Sequence, residues 1–245
     1  MMCETRHPET PTSARRKFLQ GSGALAATVA GLTSGISAPA FAVQPLKPHN
    51  VITPDDAIAR LQEGNARYVA GLMQRHDFAS EREPLNGGQN PYAALLGCAD
   101  SRVAPEYAFD SVRGDLFTAR VAGNIASDEA TGSLEYAVGV LKVPLILVLG
   151  HDKCGAVEAA LSAHTKGTKY PGSIQTLVRK IESSVRKIDI NAPDRLDAAV
   201  AQNVRDNVNA LRTASAILRD AETKGTLKII GGVYRLGNGK VDLIA

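Results

Sequence analysis

The stretch VPLILVL at residues 143–149 decides the fold class, because it is an almost unbroken run of leucine and β-branched residues. Such a run is typical of a strand that is buried on both faces of a parallel sheet. Gly150 and His151 follow it directly. A second apolar segment, residues 92–97, is also predicted to be a short buried strand, and it ends at Cys98. Both strands therefore end on a side chain that can bind a metal ion.

Helical patterns surround these two strands. Residues 53–56, TPDD, predict a helix start, because threonine caps well, proline fits the first turn and acids suit the dipole. The remaining elements follow from apolar spacing: a strand at 116–121, helices at 127–141, from Cys154 or Gly155 to about 164, at 173–188 and at 193–219, and a last strand at 227–236 before a Gly-Asn-Gly turn into a short edge segment. The alternation predicts an α/β fold with a central, largely parallel sheet flanked by helices.

The carboxyl ends of parallel strands line the functional crevice of such folds. Cys98 and His151 could therefore face each other. Two residues separate His151 from Cys154 in the segment GHDKCG, which is close enough for both to bind one ion. Two cysteines and one histidine can hold zinc and leave a fourth position open for water or substrate, as catalytic sites do. A His-x-x-Cys pair alone is a weak signal, so the neighbouring residues matter.

Asp100 and Arg102 are those neighbours. An aspartate two residues after a metal-binding cysteine can bind the metal itself or accept a hydrogen bond from a water on the metal. Arg102 can hold that carboxylate in a bidentate pair and keep it ionised. An ordinary surface ion pair, which is common and contributes little to stability, is the alternative interpretation.

A disulfide is the competing interpretation of the cysteines. Cys3 falls in a predicted leader, so the mature chain would keep only Cys98 and Cys154. In an oxidising compartment, two cysteines suggest one disulfide by default. The motifs around the two cysteines are needed to distinguish a disulfide from a metal site.

Those motifs resemble the β-class carbonic anhydrases. The resemblance rests on CADSRV at 98–103 and GHDKCGAV at 150–157, and it extends over most of the predicted mature chain. Further similar segments occur in the same order: DAIARLQEGNARYVAG at 56–71, RVAGN at 120–124, SLEYAV at 133–138 and IIGGVYRLGNGKV at 229–241.

The resemblance implies one Zn²⁺ per subunit, held by Cys98, His151 and Cys154, and an Asp100–Arg102 dyad that orients the nucleophile. In some members of the family the aspartate binds the metal and must swing away before water enters, so Asp100 stays open as a fourth ligand at rest. The resemblance also implies a substrate pocket, whose matching positions are Gln89, Phe117, Ala122, Gly123, Tyr136 and Gly155. Core packing or loop structure is the alternative role for these residues.

The implied activity is the reversible hydration of carbon dioxide to bicarbonate and a proton. Two rival activities stay open: hydrolysis of carbonyl sulfide or carbon disulfide at the same zinc site, and a non-enzymatic protein with a disulfide. Members of the family form homodimers or dimers of dimers, and the first helix is expected to take part in pairing. Asp152 and Lys153 between the ligands, and the absence of tryptophan, depart from what some members show.

The N-terminus predicts export. SARRKFL at 13–19 is a twin-arginine pattern, an uncharged, weakly apolar run follows, and AFA at 40–42 is a small-x-small cleavage site. Residues 1–42 are therefore expected to be removed, leaving 43–245 as one periplasmic catalytic domain. The apolar run is too interrupted for a membrane anchor, so no membrane association is expected after cleavage. A formal net charge of +3 gives no reason to expect a nucleic-acid partner.

Overall fold

The computed structural model describes residues 52–244. Five strands form one sheet in the order β2-β1-β3-β4-β5. Their bounds are β1 Ala93–Gly97, β2 Leu116–Arg120, β3 Leu145–His151, β4 Lys228–Tyr234 and β5 Val241–Leu243. The first four strands are parallel to their neighbours, and only β5 runs antiparallel, beside β4. The prediction of an α/β fold with a largely parallel sheet is confirmed.

Helices connect these strands. Their bounds are α1 Pro54–Ala70, α2 Arg82–Asn86, α3 Pro105–Ala108, α4 Asp128–Gly139, α5 Gly155–Lys166, α6 Ile174–Val185, α7 Arg195–Ala214 and α8 Ala216–Thr223. The short helices α2 and α3 were not predicted, since segments of four or five residues give no periodic pattern to read. None of the helices described is long and apolar enough to cross a membrane.

The central strand of the sheet, β3, is buried on both faces, as its composition predicted. Ile146 and Val148 of β3 face one apolar cluster with α4 to α8, whereas Leu145, Leu147 and Leu149 face a second cluster with α1 and α3. Every residue of β3 is buried. Because each fully buried leucine or isoleucine contributes about 1.5–3 kcal/mol, this strand anchors the elements on either side of it.

The bounds of β3 differ from the predicted 143–149. The strand begins after Pro144, whose nitrogen cannot donate to the ladder, although its carbonyl still accepts from Lys228 N at 3.0 Å. It then continues through Gly150 to His151, which pairs with Tyr234 of β4. The histidine predicted as a metal ligand is therefore the last residue of the strand rather than part of the following loop.

Helix α1 begins as its sequence predicts. The Thr53 hydroxyl accepts from Asp56 N at 3.1 Å, and the Asp56 carboxylate accepts from Thr53 N at 3.3 Å. This reciprocal capping box satisfies two backbone donors at the helix start. The helix ends at Ala70 and is capped by Gly71, whose left-handed φ of 69° suits glycine.

The single helix predicted over 193–219 is wrong, because the structure has two helices there. Ser215 has extended backbone angles, φ −109° and ψ 117°, and separates α7 from α8. Its hydroxyl accepts from Leu218 N at 3.1 Å and donates to Glu135 of α4 at 2.6 Å. A buried side-chain contact with another helix thus supports a break that the apolar spacing does not reveal.

The predicted leader, residues 1–42, and the predicted cleavage point lie outside the described residues.

Candidate metal centre

The three predicted metal ligands meet at the carboxyl end of the sheet. Strands β1 and β3 are adjacent and parallel, with Gly97 paired to Leu149, so the residues that follow them lie side by side. Cys98 comes directly after β1, His151 ends β3, and Cys154 occupies the N-cap position of α5. All three are buried, and their ligand atoms lie within 4.8 Å of one another. Two thiols and an imidazole at this spacing fit a zinc ion and leave a coordination position open.

The two cysteines are free in the structure. Their sulfur atoms lie 4.0 Å apart, about twice the length of a disulfide bond. The Cys98 pKa is lowered, first because its sulfur interacts with Cys154 and further because it interacts with His151 and the Gly123 amide. The Cys154 pKa is raised by the same contact with Cys98 and by burial. An ionised Cys98 therefore disfavours ionisation of Cys154. A divalent cation bound between the two sulfurs would stabilise both thiolates.

His151 is oriented as a metal ligand. Its Nδ1 lies 2.8 Å from the Asp152 carbonyl oxygen, which can accept a hydrogen bond from that nitrogen. Its Nε2 is buried and has no hydrogen-bond partner among the described residues. A carbonyl partner on one ring nitrogen fixes the tautomer that leaves the other nitrogen free to bind a metal ion. An unpartnered buried nitrogen is costly, so this atom also fits a site that holds a cation.

Asp100 and Arg102 form the predicted pair. The guanidinium donates through Nε to Asp100 Oδ1 at 2.9 Å and through NH2 to Oδ2 at 2.7 Å, and Arg102 N donates to Oδ1 at 2.9 Å. These hydrogen bonds from Arg102 hold the pKa of Asp100 well below its usual range. Oδ2 also lies 3.7 Å from His151 Nε2. The aspartate is thus an ionised group at the edge of the metal cluster.

Two arginines tie the ligand-bearing segments together. Arg102 NH2 donates to the Lys153 carbonyl at 3.2 Å, which links the dyad to the turn between His151 and Cys154. Arg120, the last residue of β2, donates to the carbonyls of Cys98 at 2.8 Å and Asp100 at 2.6 Å. Arg120 was not among the predicted site residues. Its place in RVAGN, at the end of a predicted strand, was the available signal.

Of the two charged residues between the ligands, Asp152 has a structural role. Asp152 Oδ1 accepts from Leu236 N at 2.9 Å, and Asp152 N donates to the Tyr234 carbonyl at 3.1 Å, so the turn is fixed to the end of β4. Lys153 is exposed and has a left-handed φ of 51°.

Three of the predicted pocket residues lie on neighbouring elements. Phe117 is half-buried on β2, and its ring centroid is 6.2 Å from that of Tyr136 on α4. Tyr136 is 48% exposed. Gln89 is exposed in the segment before β1.

The other three pocket residues lie close to the ligands in the chain fold. Gly123 is buried, has a φ of 75°, and donates from its backbone nitrogen to Cys98 Sγ at 3.3 Å. A side chain at Gly123 would come within 2.5 Å of Ile181, so only glycine fits there. Ala122 precedes it and is half-buried, and Gly155 is the exposed first residue of α5, next to Cys154.

Comparisons with known proteins agree with this centre. The family model for carbonic anhydrase matches residues 93–241. A carbonic anhydrase of Mycolicibacterium smegmatis is 42% identical over 194 residues, covering 78% of this chain and 93% of that protein. Carbonic anhydrase 2 of Mycobacterium tuberculosis is 41% identical over 191 residues, covering 78% and 92%.

The solved structures that resemble this chain are also β-carbonic anhydrases. A Coccomyxa β-carbonic anhydrase in complex with acetazolamide superposes with a TM-score of 0.60 and 33% identity, covering 68% of this chain and 78% of that one. A tetrameric β-carbonic anhydrase from Sordaria macrospora superposes with a TM-score of 0.60 and 25% identity, covering 78% and 98%. The fold, the buried Cys-His-Cys cluster and these relatives agree, and the chain belongs to the β-class carbonic anhydrase family.

Proposed function

We propose that this protein is a zinc carbonic anhydrase that converts carbon dioxide and water reversibly to bicarbonate and a proton. The observation that carries the proposal is the buried Cys98–His151–Cys154 cluster with Asp100 at its edge, 3.7 Å from His151. Relatives that are 41–42% identical and are named carbonic anhydrases support the same activity.

The residues present fit zinc. Two buried sulfurs and an unpartnered imidazole nitrogen supply three of its preferred ligand atoms. Bound zinc supplies positive charge and lowers the pKa of water to about 7, which provides a nucleophile near neutral pH. Cys98, Cys154 and His151 hold the ion, and the Asp152 carbonyl keeps the His151 ring in the orientation that ligation needs.

Asp100 has the role of orienting the nucleophile. Its carboxylate is ionised and can accept a hydrogen bond from the attacking water, which would aim the water's lone pair at carbon dioxide. Both carboxylate oxygens already accept from Arg102, so the pair would keep Asp100 beside a bound ion rather than on it. We therefore assign the fourth position at rest to water and not to Asp100.

Stopped-flow measurement of carbon dioxide hydration tests the proposal. The zinc-loaded protein is expected to be active, and Asp100→Asn should bind zinc as before yet lose hydration activity by about 100-fold or more, as expected when a group that aligns the nucleophile is lost. Carbon disulfide turnover is measured beside it. An inactive zinc-loaded protein, or a faster reaction with carbon disulfide, would contradict the assigned activity.

Export by the twin-arginine route is part of the proposal. Arg15 and Arg16 followed by Phe18 and Leu19 support it, together with the AFA cleavage site at 40–42. This route carries folded proteins, so zinc could be bound before the two thiols meet an oxidising compartment. Replacing Arg15 and Arg16 with lysine keeps the charge that an ordinary secretion signal needs. The replaced protein should accumulate in the cytoplasm, and unchanged periplasmic delivery would favour the general secretion route.

A homo-oligomer, either a dimer or a dimer of dimers, completes the proposal. Val69, near the end of α1, and Leu72 and Met73, just beyond it, are 46%, 71% and 39% exposed. Apolar side chains clustered on a surface are typical of pairing faces. The tetrameric relative from Sordaria macrospora supports the same conclusion. Light scattering on the purified protein should give a multiple of the chain mass, and Leu72→Asp should reduce it.

A further inference from the structure

The geometry points to Asn203 and Asn207 of α7 as positioning residues for the metal centre, through the loop that follows β2. In this inference the two amides hold Gly123 so that its N–H donates to the Cys98 thiolate, and they thereby raise the affinity of the site for zinc. The inference rests on the proposed zinc site and adds a determinant from a helix that contributes no ligand.

A continuous chain of hydrogen bonds connects α7 to the sulfur. Asn203 Nδ2 donates to the Gly123 carbonyl at 2.8 Å, and Gly123 N donates to Cys98 Sγ at 3.3 Å. Asn207 Oδ1 accepts from Ala126 N at 2.7 Å, three residues further along the same loop. Asn207 Nδ2 donates in turn to the Asn203 backbone carbonyl at 2.8 Å and to Asn203 Oδ1 at 3.2 Å, so the two side chains are directly hydrogen-bonded.

These amides lie on the buried face of α7. Asn203 is 1% exposed and Asn207 is 8% exposed, beside the apolar residues Val204 and Val208. Burying an amide costs free energy unless its polar atoms find partners, and apolar side chains of similar volume would avoid that cost. The partners that these amides find are the backbone groups of the loop from Gly123 to Ala126.

Regular secondary structure does not hold the backbone of this loop. It is neither helix nor strand, and Gly123 and Asn124 both have left-handed φ angles, of 75° and 45°. Non-glycine residues rarely adopt that region, so surrounding contacts have to hold it. Backbone hydrogen bonds within the loop are local, such as Asn124 N to the Val121 carbonyl at 2.8 Å. Val121 N also donates to the Gly97 carbonyl of β1 at 3.0 Å, and Ile125 packs in the core, so the asparagines supply the side-chain hydrogen bonds that tie the loop to α7.

The same helix also contacts the strand that carries His151. A side chain at Gly150 would come within 2.6 Å of Val204 Cγ2, because α7 packs directly on the backbone there. One turn of α7 therefore touches both the loop that donates to Cys98 and the residue before His151. Helix α7 therefore supports the segments that hold Cys98 and His151.

The hydrogen bond to sulfur has a chemical consequence. An N–H that donates to a thiolate withdraws negative charge from it, stabilises the ionised form and orients it toward the metal. Groups that orient the ligands of a metal in this way typically change its affinity by about 10–100-fold when they are lost.

Asn203→Leu tests the inference, since leucine has the same branching at Cγ but no hydrogen-bonding group. Its matched control is Asn209→Leu, an exposed position on the same helix. Zinc dissociation constants come from competition with a chelator, and the thiolate-to-metal charge-transfer absorption comes from the cobalt-substituted proteins. We expect Asn203→Leu to weaken zinc binding by about 10–100-fold and to shift the absorption, while Asn209→Leu changes neither.

A purely structural role gives a different pattern. Asn203→Leu would then lower the thermal midpoint but keep the dissociation constant and the cobalt spectrum of the original protein, and that result overturns the inference. If Asn203→Leu does not fold, the smaller replacement Asn203→Ser is used in the same way.

A direct measurement covers the case in which neither variant folds. In the isotopically labelled full-length protein loaded with an NMR-active cadmium isotope, the Gly123 amide proton should show scalar coupling to the metal through Cys98 sulfur. Absence of that coupling overturns the inference. Zinc binding and coupling without carbon dioxide hydration would instead contradict the proposed function and leave the inference standing.

Discussion

Arg102 connects the two halves of the site through one side chain. It holds both oxygens of Asp100, and its NH2 also reaches the Lys153 carbonyl between the other two ligands. A planar guanidinium can make these contacts together, whereas an ammonium group on a flexible stem cannot. The orientation of the dyad and the shape of the ligand turn are therefore set by the same group.

Arg102→Lys should separate charge from geometry. Lysine keeps the positive charge but loses the bidentate contact, so the pKa of Asp100 should rise toward its ordinary value and the carboxylate should be less well oriented. We expect carbon dioxide hydration to fall by about 10–100-fold with zinc content unchanged. Stopped-flow rates and metal analysis measure the two effects.

Arg113→Lys is the matched control for that substitution. Arg113 is exposed and pairs with Glu81 at 3.3 Å, away from the ligands. Its replacement should leave the rate unchanged. Equal activity of Arg102→Lys and the original protein would mean that charge alone is sufficient at position 102.

Gly150→Ala should destabilise the protein. The new methyl group would lie 2.6 Å from Val204 Cγ2, which is closer than packed atoms can approach. Overpacking of this kind costs about 1–3 kcal/mol. The free energy of unfolding from denaturant titration measures the loss, and adding Val204→Ala should recover part of it.

Gly132→Ala provides the comparison. Gly132 lies in α4, is exposed, and nothing stands within 4 Å of the position that a methyl group would take. Because alanine favours helices over glycine, this change should stabilise the protein by up to about 1 kcal/mol. A loss of stability at both positions would mean that the contact with Val204 is not the cause.

At the scale of helices and strands, the sequence predicted what depends on local pattern. The apolar run at 143–149 located β3, and TPDD at 53–56 located the start of α1, because burial and capping leave signatures in consecutive residues. The break between α7 and α8 has no such signature. It depends on Ser215 bonding to Glu135, which is 80 residues away in the chain.

Ser215→Ala should weaken the junction between α7 and α8. It removes the hydroxyl that accepts from Leu218 N and leaves Glu135 without that donor. Loss of an N-cap costs about 0.5–2 kcal/mol. Ser173→Ala is the control, because Ser173 holds the N-cap position of α6 but makes no side-chain capping bond. Chemical denaturation should show a loss for Ser215→Ala and little change for Ser173→Ala.

The metal ligands could be predicted from sequence because strand ends, spacing and residue type coincide at Cys98 and His151. The residues that support them could not. Asn203 and Asn207 look like polar residues on a surface helix, and only the packing of α7 on the sheet reveals that they are buried. Arg120 contacts carbonyl oxygens, and a sequence carries no sign of which carbonyls a side chain will reach.

For the whole molecule, removal of the metal should have two effects. A chelator is expected to lower the thermal midpoint, since the ion binds the folded chain more tightly than the unfolded one. The two sulfurs, 4.0 Å apart, should then oxidise to a disulfide in air. Calorimetry and titration of free thiols measure these effects, and a reductant should prevent the second. Two titratable thiols after prolonged exposure of the metal-free protein to air would contradict the expectation.

The separation of Cys98 and Cys154 along the chain carries a further consequence. They are 56 positions apart, so an ion held by both closes a loop that includes β2, α4 and β3. A crosslink across that length removes conformational entropy from the unfolded chain, equivalent to about 4 kcal/mol in the chain-entropy treatment. The ion bound at the active site would thus also act as a crosslink, and its loss would make the segment between the two cysteines easier to unfold.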